Sequence, residues 1–182
     1  NALRLSLRRI AHELRISAPV LSFPGNRAAA SDIRTGYLLD RPVRRLVITL
    51  RGPGCSWVVN GEGCFMCGHH AGTTRGIIPT APEYRDQFRS EISRYDLSDI
   101  EIISLYNSGS VLNAEEVSPE ALRTVFADIR KLRSIRKVVL ETRAEYVDRA
   151  RLAELKDILG EGRILSIALG LETSDDLKRD LC

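Results

Sequence analysis

The chain has 182 residues, 43% of them hydrophobic and 28% charged, a balance that suits one globular domain with a substantial core. No apolar run approaches the roughly 18–20 residues that span a bilayer, and the N-terminal leucines alternate with arginines, so a compact signal core is absent. The net charge of +3 hides an asymmetry, because residues 1–51 carry ten arginines against three acidic groups and the acidic excess lies beyond them. A basic arm of this kind is compatible with a polyanion, although solvated surface arginines give the same statistics. A cytoplasmic protein without a membrane partner is expected, and there clustered cysteines are metal ligands more often than disulfides. The oligomeric state is not legible. The first residue is Asn1 and not Met, from which a piece of a longer protein is expected.

Leu3, Leu7, Ile10 and Leu14 recur at helical spacing and predict a packing helix over residues 3–14. Its apolar face is narrow and lacks aromatic residues, which disfavours a helix lying on a membrane. Residues 16–42, with Pro19, Pro24, Gly25 and Pro42, read as an irregular connection, so the domain proper is expected to span 43–182, after an N-terminal helix and basic arm at 1–42. A βα alternation then sets in. Leu46–Leu50 is a continuous apolar run, as a strand buried on both faces of a parallel sheet requires. A helix follows over 82–95, a strand over 100–106, and a helix from Ser118-Pro119 to about Leu132. Lys137–Glu141 is the third strand, and Gly160 and Gly162 stop a helix over 147–159. Ile164–Leu171 is the fourth strand, with a last helix opening near Asp175 or Asp176. Four βα units without hairpin signals give an α/β fold with a parallel sheet, either an open or partial barrel or part of a larger domain.

Three of the four cysteines lie directly after the first strand, as Cys55, Cys64 and Cys67 in a glycine-rich loop. Three thiolates can hold a metal or an iron–sulfur cluster and leave one position open. His69 and His70 follow at once, so a closed zinc site of the three cysteines and one histidine is the rival reading, that of a non-catalytic nucleic-acid module. Ligands of parallel α/β domains sit at the carboxyl ends of the strands, and polar residues occur at each of these ends. They are Asn107-Ser108-Gly109-Ser110, Glu141-Thr142-Arg143 and Gly170-Leu171-Glu172-Thr173. Two carboxylates with an arginine between them can clamp a zwitterionic or ribose-bearing ligand.

Together these residues resemble the radical S-adenosylmethionine superfamily. The Cys-x8-Cys-x2-Cys spacing departs from its commonest pattern and is similar to the branch of the Elongator catalytic subunit and the archaeosine-synthase radical subunit. The likeness covers about residues 43–182 and runs in order through Arg51–Trp57, Cys64–Gly68, Leu105–Ser110, Glu141–Val147 and Leu169–Ser174. It implies a radical enzyme, of lyase or transferase type, on a partial (βα) barrel of four units where the superfamily usually has six. Cys55, Cys64 and Cys67 would ligate a [4Fe–4S] cluster whose free iron binds S-adenosylmethionine, with Cys182 not counted as a ligand. Ser108, Gly109 and Ser110 would receive the methionine amino group, Met66 would face the adenine, and Glu141, Arg143 and Glu172 would contact carboxylate, ribose or substrate. A flavodoxin- or ferredoxin-type electron donor and tRNA are the implied partners, with modification of a tRNA base as the implied outcome.

Overall fold

The structure is a computed structural model that describes residues 2–18, 21, 23–60 and 63–181, without the side chains of residues 69, 70 and 181. Helix α1 spans Ala2–Ser17, and strands β1 (Ala30–Leu38) and β2 (Arg41–Thr49) form a hairpin. The cysteine loop follows, with the short helix α2 (Ser56–Val59) and a 3-10 turn at His69–Gly72. Then come α3 (Ala81–Ile92), β3 (Ile100–Tyr106), α4 (Pro119–Lys131), β4 (Lys137–Thr142), a 3-10 turn at Ala144–Tyr146, α5 (Arg149–Leu159), β5 (Ile164–Leu169) and α6 (Asp176–Leu181). The five strands form one sheet in sequence order, antiparallel between β1 and β2 and parallel from β2 to β5.

Register explains the core. Leu46, Ile103 and Val138 stand side by side on β2, β3 and β4, as do Ile48, Leu105 and Leu140 two residues further along. These six side chains share one face because strand side chains alternate. Tyr84 and Phe88 of α3, Val125, Phe126 and Ile129 of α4, and Leu155 and Leu159 of α5 cover that face. Burying each large side chain contributes about 1.5–3 kcal/mol. The helices start where the chain dictates. Thr80 and Glu83 make a reciprocal capping box at α3, Ser118 caps α4 through the Ala121 N–H, and Asp148 caps α5 through the Arg151 N–H. Gly160, at φ 90°, ends α5.

The opposite face carries Val47, Ser104, Val139 and Ser166 in register, and one step toward the carboxyl ends Thr49, Tyr106, Glu141 and Ala168. It becomes polar as it approaches the strand ends, and that polarity prepares the site described below.

Two expectations are corrected. The stretch read as an irregular connection contains β1, which pairs with β2 along its whole length. Its signal is weak because Gly36 is the one residue of β1 that is buried, and its turn, Leu39-Asp40, has no glycine; Leu39 itself adopts φ 54°. The N-terminal helix forms, but with its faces exchanged. Of the expected packing face, Leu3, Ile10 and Leu14 are 56, 50 and 66% exposed and Leu7 is half-buried, whereas Ala11 is buried and Arg4, Arg8 and Arg15 turn toward the protein. The architecture is therefore a five-stranded, mostly parallel α/β sheet. The sheet order does not by itself establish a truncated barrel. Among the described residues no helix is long and apolar enough to cross a membrane.

Candidate functional site

Directly beyond β2 the chain is held in place by Arg51. Its backbone N–H donates to Gln87 Oε1 at 2.7 Å, and its guanidinium donates to the carbonyls of Arg27, Ala28 and Gly72 while lying 3.9 Å over the Phe23 ring. Burial pushes this guanidinium below its ordinary value. Gly54, at φ 107°, makes the turn that a side chain would strain, and Cys55 then opens α2. A second turn, Cys67 N–H to the Cys64 carbonyl at 3.1 Å, brings the later two cysteines onto one bend. Arg15 of α1 reaches across to this bend and donates to the carbonyls of Gly63, Cys64 and Cys67. These bonds explain why α1 turns its arginines inward.

Glu116, in the loop between β3 and α4, joins the parts of the site and is 1% exposed. Its Oε1 accepts from the Ser56 N–H at 3.0 Å and Asn113 Nδ2 at 2.9 Å; its Oε2 accepts from the Ser110 N–H at 2.6 Å and Asn107 Nδ2 at 3.3 Å. One carboxylate thus ties the helix after Cys55 to the segment after β3. Its own carbonyl accepts the Tyr84 hydroxyl at 2.6 Å, and burial first, then the Glu116 charge, pushes the Tyr84 phenol above its ordinary value. Gly109 is required here. A β-carbon would come 2.7 Å from Glu116 Cδ and 2.9 Å from Cys55 Cα.

Arg143, at the end of β4, completes the frame. Its backbone N–H donates to Ser110 Oγ at 2.8 Å, and Nη2 donates to Ser56 Oγ at 3.0 Å and the Tyr146 hydroxyl at 2.7 Å. Nη1 lies 3.6 Å from Cys55 Sγ, and Nε forms an ion pair with Glu145 at 3.1 Å without hydrogen-bond alignment. The guanidinium also lies against the rings of Trp57 and Tyr146.

These elements enclose a cavity of about 410 Å³ at the carboxyl ends of the parallel strands. Cys55, Cys64 and Cys67 line it together with Ser108, Gly109, Glu141, Arg143 and Glu172. Glu172 adopts φ 64°, uncommon for a residue with a side chain and a mark of a shaped loop. Two expected ligand contacts fall elsewhere. Ser110 is fully buried and serves Arg143, while Met66 is 47% exposed and does not line the cavity. The sequence did not single out Glu116, Tyr146, or Arg4, Arg8 and Arg179, although all three of these arginines also line the cavity. The three cysteines form no disulfide with one another and line the cavity half-exposed. Among the described residues no group of three His, Cys, Asp or Glu side chains is gathered closely enough to hold a metal ion. The histidine side chains of the zinc alternative lie outside the described ones.

Comparison with known proteins gives the wider setting. The chain is similar to archaeosine synthase subunit beta. It is 29% identical over 177 residues to that protein of Methanosarcina acetivorans, covering 97% of this chain and 50% of the relative. The subunit of the same name in Thermococcus kodakarensis is 28% identical over 145 residues, 75% of this chain and 42% of its own length. An uncharacterised protein of Methanocaldococcus jannaschii is 30% identical over 142 residues, 75% of this chain and 38% of its own. The chain thus spans half or less of the length of these curated relatives. No family model matches, and no solved structure matches significantly. These findings correct the superfamily expectation. The relatives' names give a subunit of archaeosine synthase, no radical S-adenosylmethionine family accompanies them, and the cysteines are not converged as a metal-binding or iron–sulfur set. The radical function, and with it the zinc module, is withdrawn.

Proposed function

We propose that this chain is the sheet-borne core of an enzyme subunit in a tRNA-modifying assembly of the archaeosine synthase kind, with the strand-end cavity as its ligand site. The observation that carries this reading is the convergence of the cysteine loop, Ser108-Gly109, Glu141, Arg143 and Glu172 on one cavity. Carboxyl ends of parallel strands are where such folds bind ligands. The relatives' names supply the substrate class. The succession β2-β3-β4-β5, with consecutive helices packed in one layer, is the order that a segment of a (βα) barrel has, and we read it so.

The residues themselves act as a frame. Glu116 and Arg143 hold the loops after β2, β3 and β4 at fixed spacing, and Glu141 and Glu172 line the cavity together with the cysteines. As cofactors of the site we put forward a thiolate-held [4Fe–4S] cluster and S-adenosylmethionine. The donor types suit them, since three cysteine thiols, a guanidinium, two glutamates and a glycine line one cavity, and binding would draw the cysteines together from positions in which they are not gathered as a metal set. A bound cluster supplies electron transfer, so a flavodoxin- or ferredoxin-type donor belongs to the same proposal, and cysteines without a disulfide suit a cytoplasmic setting. The test is anaerobic purification followed by iron, sulfide and zinc analysis, together with tRNA retention. The reading expects tRNA bound more tightly than the roughly 10⁻⁴–10⁻⁶ M of non-specific association. It expects iron and sulfide that are lost in Cys64→Ala. Protein that holds neither iron nor tRNA overturns it.

A further inference from the structure

Helix α1 breaks an elementary rule: it leaves Leu3, Leu5, Ile10 and Leu14 in solvent and turns Arg4, Arg8 and Arg15 inward. Exposing one large aliphatic side chain forgoes about 1.5–3 kcal/mol, so the inverted orientation needs a compensating partner for the arginines. Arg15 has one, in the carbonyls of the cysteine bend. Arg8 and Arg4 lie two and three turns before it on the same face, and both line the cavity. Neither guanidinium has a hydrogen bond or ion pair with any described residue, and the Nε of each is buried without a partner. Glu145, beside them at the cavity, pairs with Arg143 instead. Arg179 and Arg143, by contrast, are already engaged by Asp176 and Glu145.

From this we propose that Arg4 and Arg8 form a phosphate subsite on the α1 wall of the cavity, which receives a phosphate of the RNA backbone while the attached nucleoside enters toward the cysteine loop. Buried polar groups are almost always satisfied, and a guanidinium without a carboxylate is satisfied by an anion. The four-residue spacing sets the two groups about 6 Å apart along the helix, so they hold one phosphate between them or two in succession. Arg15 fixes the helix to the loop and thereby fixes the distance from phosphate to cavity. The RNA source rests on the function proposed above; the phosphate chemistry does not, since a mononucleotide presents the same group.

The test uses the full chain, bulk tRNA and 5′-AMP, with binding followed by fluorescence anisotropy between 50 and 200 mM salt. Arg4→Gln/Arg8→Gln is compared with Arg9→Gln, an exposed control whose ion pair with Glu13 lies outside the cavity. Because the pair makes no bond within the protein, the double variant is expected to melt as the wild type does. The expected result is tRNA affinity reduced about tenfold or more and a salt slope shallower by about two, with Arg9→Gln unchanged. Loss of AMP binding alone, with tRNA binding unaltered, assigns the subsite to a mononucleotide phosphate. Unchanged affinity and slope for both probes overturn the subsite while leaving the tRNA reading intact. Wild-type protein that binds AMP through Arg4 and Arg8 but not tRNA overturns the tRNA reading and retains the phosphate subsite.

Discussion

Replacing Glu116 by Gln changes one atom of a side chain that no solvent reaches, and the geometry sets the size of the effect. Each carboxylate oxygen accepts two N–H groups, from Ser56 and Asn113 on one side and Ser110 and Asn107 on the other. Whichever oxygen becomes the amide nitrogen, two donors then face a donor, and the remaining two bonds lose their charge. Hydrogen bonds to charged groups contribute about 1.5–3 kcal/mol each. Losing two therefore costs about 3–6 kcal/mol, a large part of the about 5–15 kcal/mol that holds a domain together. For a chain of this size the melting temperature is expected to fall by about 6–24 °C. A circular-dichroism melt reads this directly, and alkylation of Cys55 is expected to accelerate, because Ser56 is its neighbour and loses its anchor. A melting temperature within about 2 °C of the wild type, with Cys55 equally protected, would refute the claim that Glu116 holds the two loops together.

Gly109→Ala strikes the same joint from the other side. Its β-carbon meets a pinned carboxylate and the Cys55 backbone, so destabilisation of about 1–3 kcal/mol is expected in denaturant titration. Arg15→Gln removes the donor to the cysteine bend. Amide exchange at residues 63–68 is expected to quicken while the sheet amides keep wild-type rates. Asp128→Asn addresses pH. The guanidinium of Arg85 first, then those of Arg89 and Lys131's ammonium, hold the Asp128 carboxyl well below the usual carboxylate range, against the opposing effect of desolvation. Because the folded value is depressed, its contribution is present above the unfolded value near pH 3.9 and is lost as pH falls below it. With partners that remain partly exposed the contribution is about 1–2 kcal/mol. The variant is therefore expected to lose that amount at pH 7 and to show a flatter acid limb; equal stability at both ends would contradict the assignment.

The strands from β2 to β5 were legible because each is a short continuous apolar run between turn residues, and the helices α3, α4 and α5 because caps and periodicity agree. β1 was not legible, since its neighbours bury little of it and its turn uses Leu39-Asp40. The orientation of α1 was misread for a specific reason. Amphipathic spacing reports which face is apolar, whereas three carbonyls of the cysteine bend decide which face turns inward. The rim was largely visible, as Cys55, Cys64, Cys67, Ser108, Gly109, Glu141, Arg143 and Glu172 do line one cavity. Within it Ser110 and Met66 were misplaced, because a stretch of loop sequence does not say which side chain turns inward. Glu116 could not have been chosen over Glu115 beside it: one is buried and the other exposed, and nothing in Asn113-Ala114-Glu115-Glu116 distinguishes them.

The proposed function places tRNA at the strand-end cavity, between α1 and the cysteine loop. Ultraviolet cross-linking of tRNA to the full chain, followed by peptide mapping, tests it most directly. Cross-links are expected on the first two turns of α1, on residues 55–67 and on Gly170–Glu172. Cross-links confined to the outer faces of α3, α4 and α5 would contradict it.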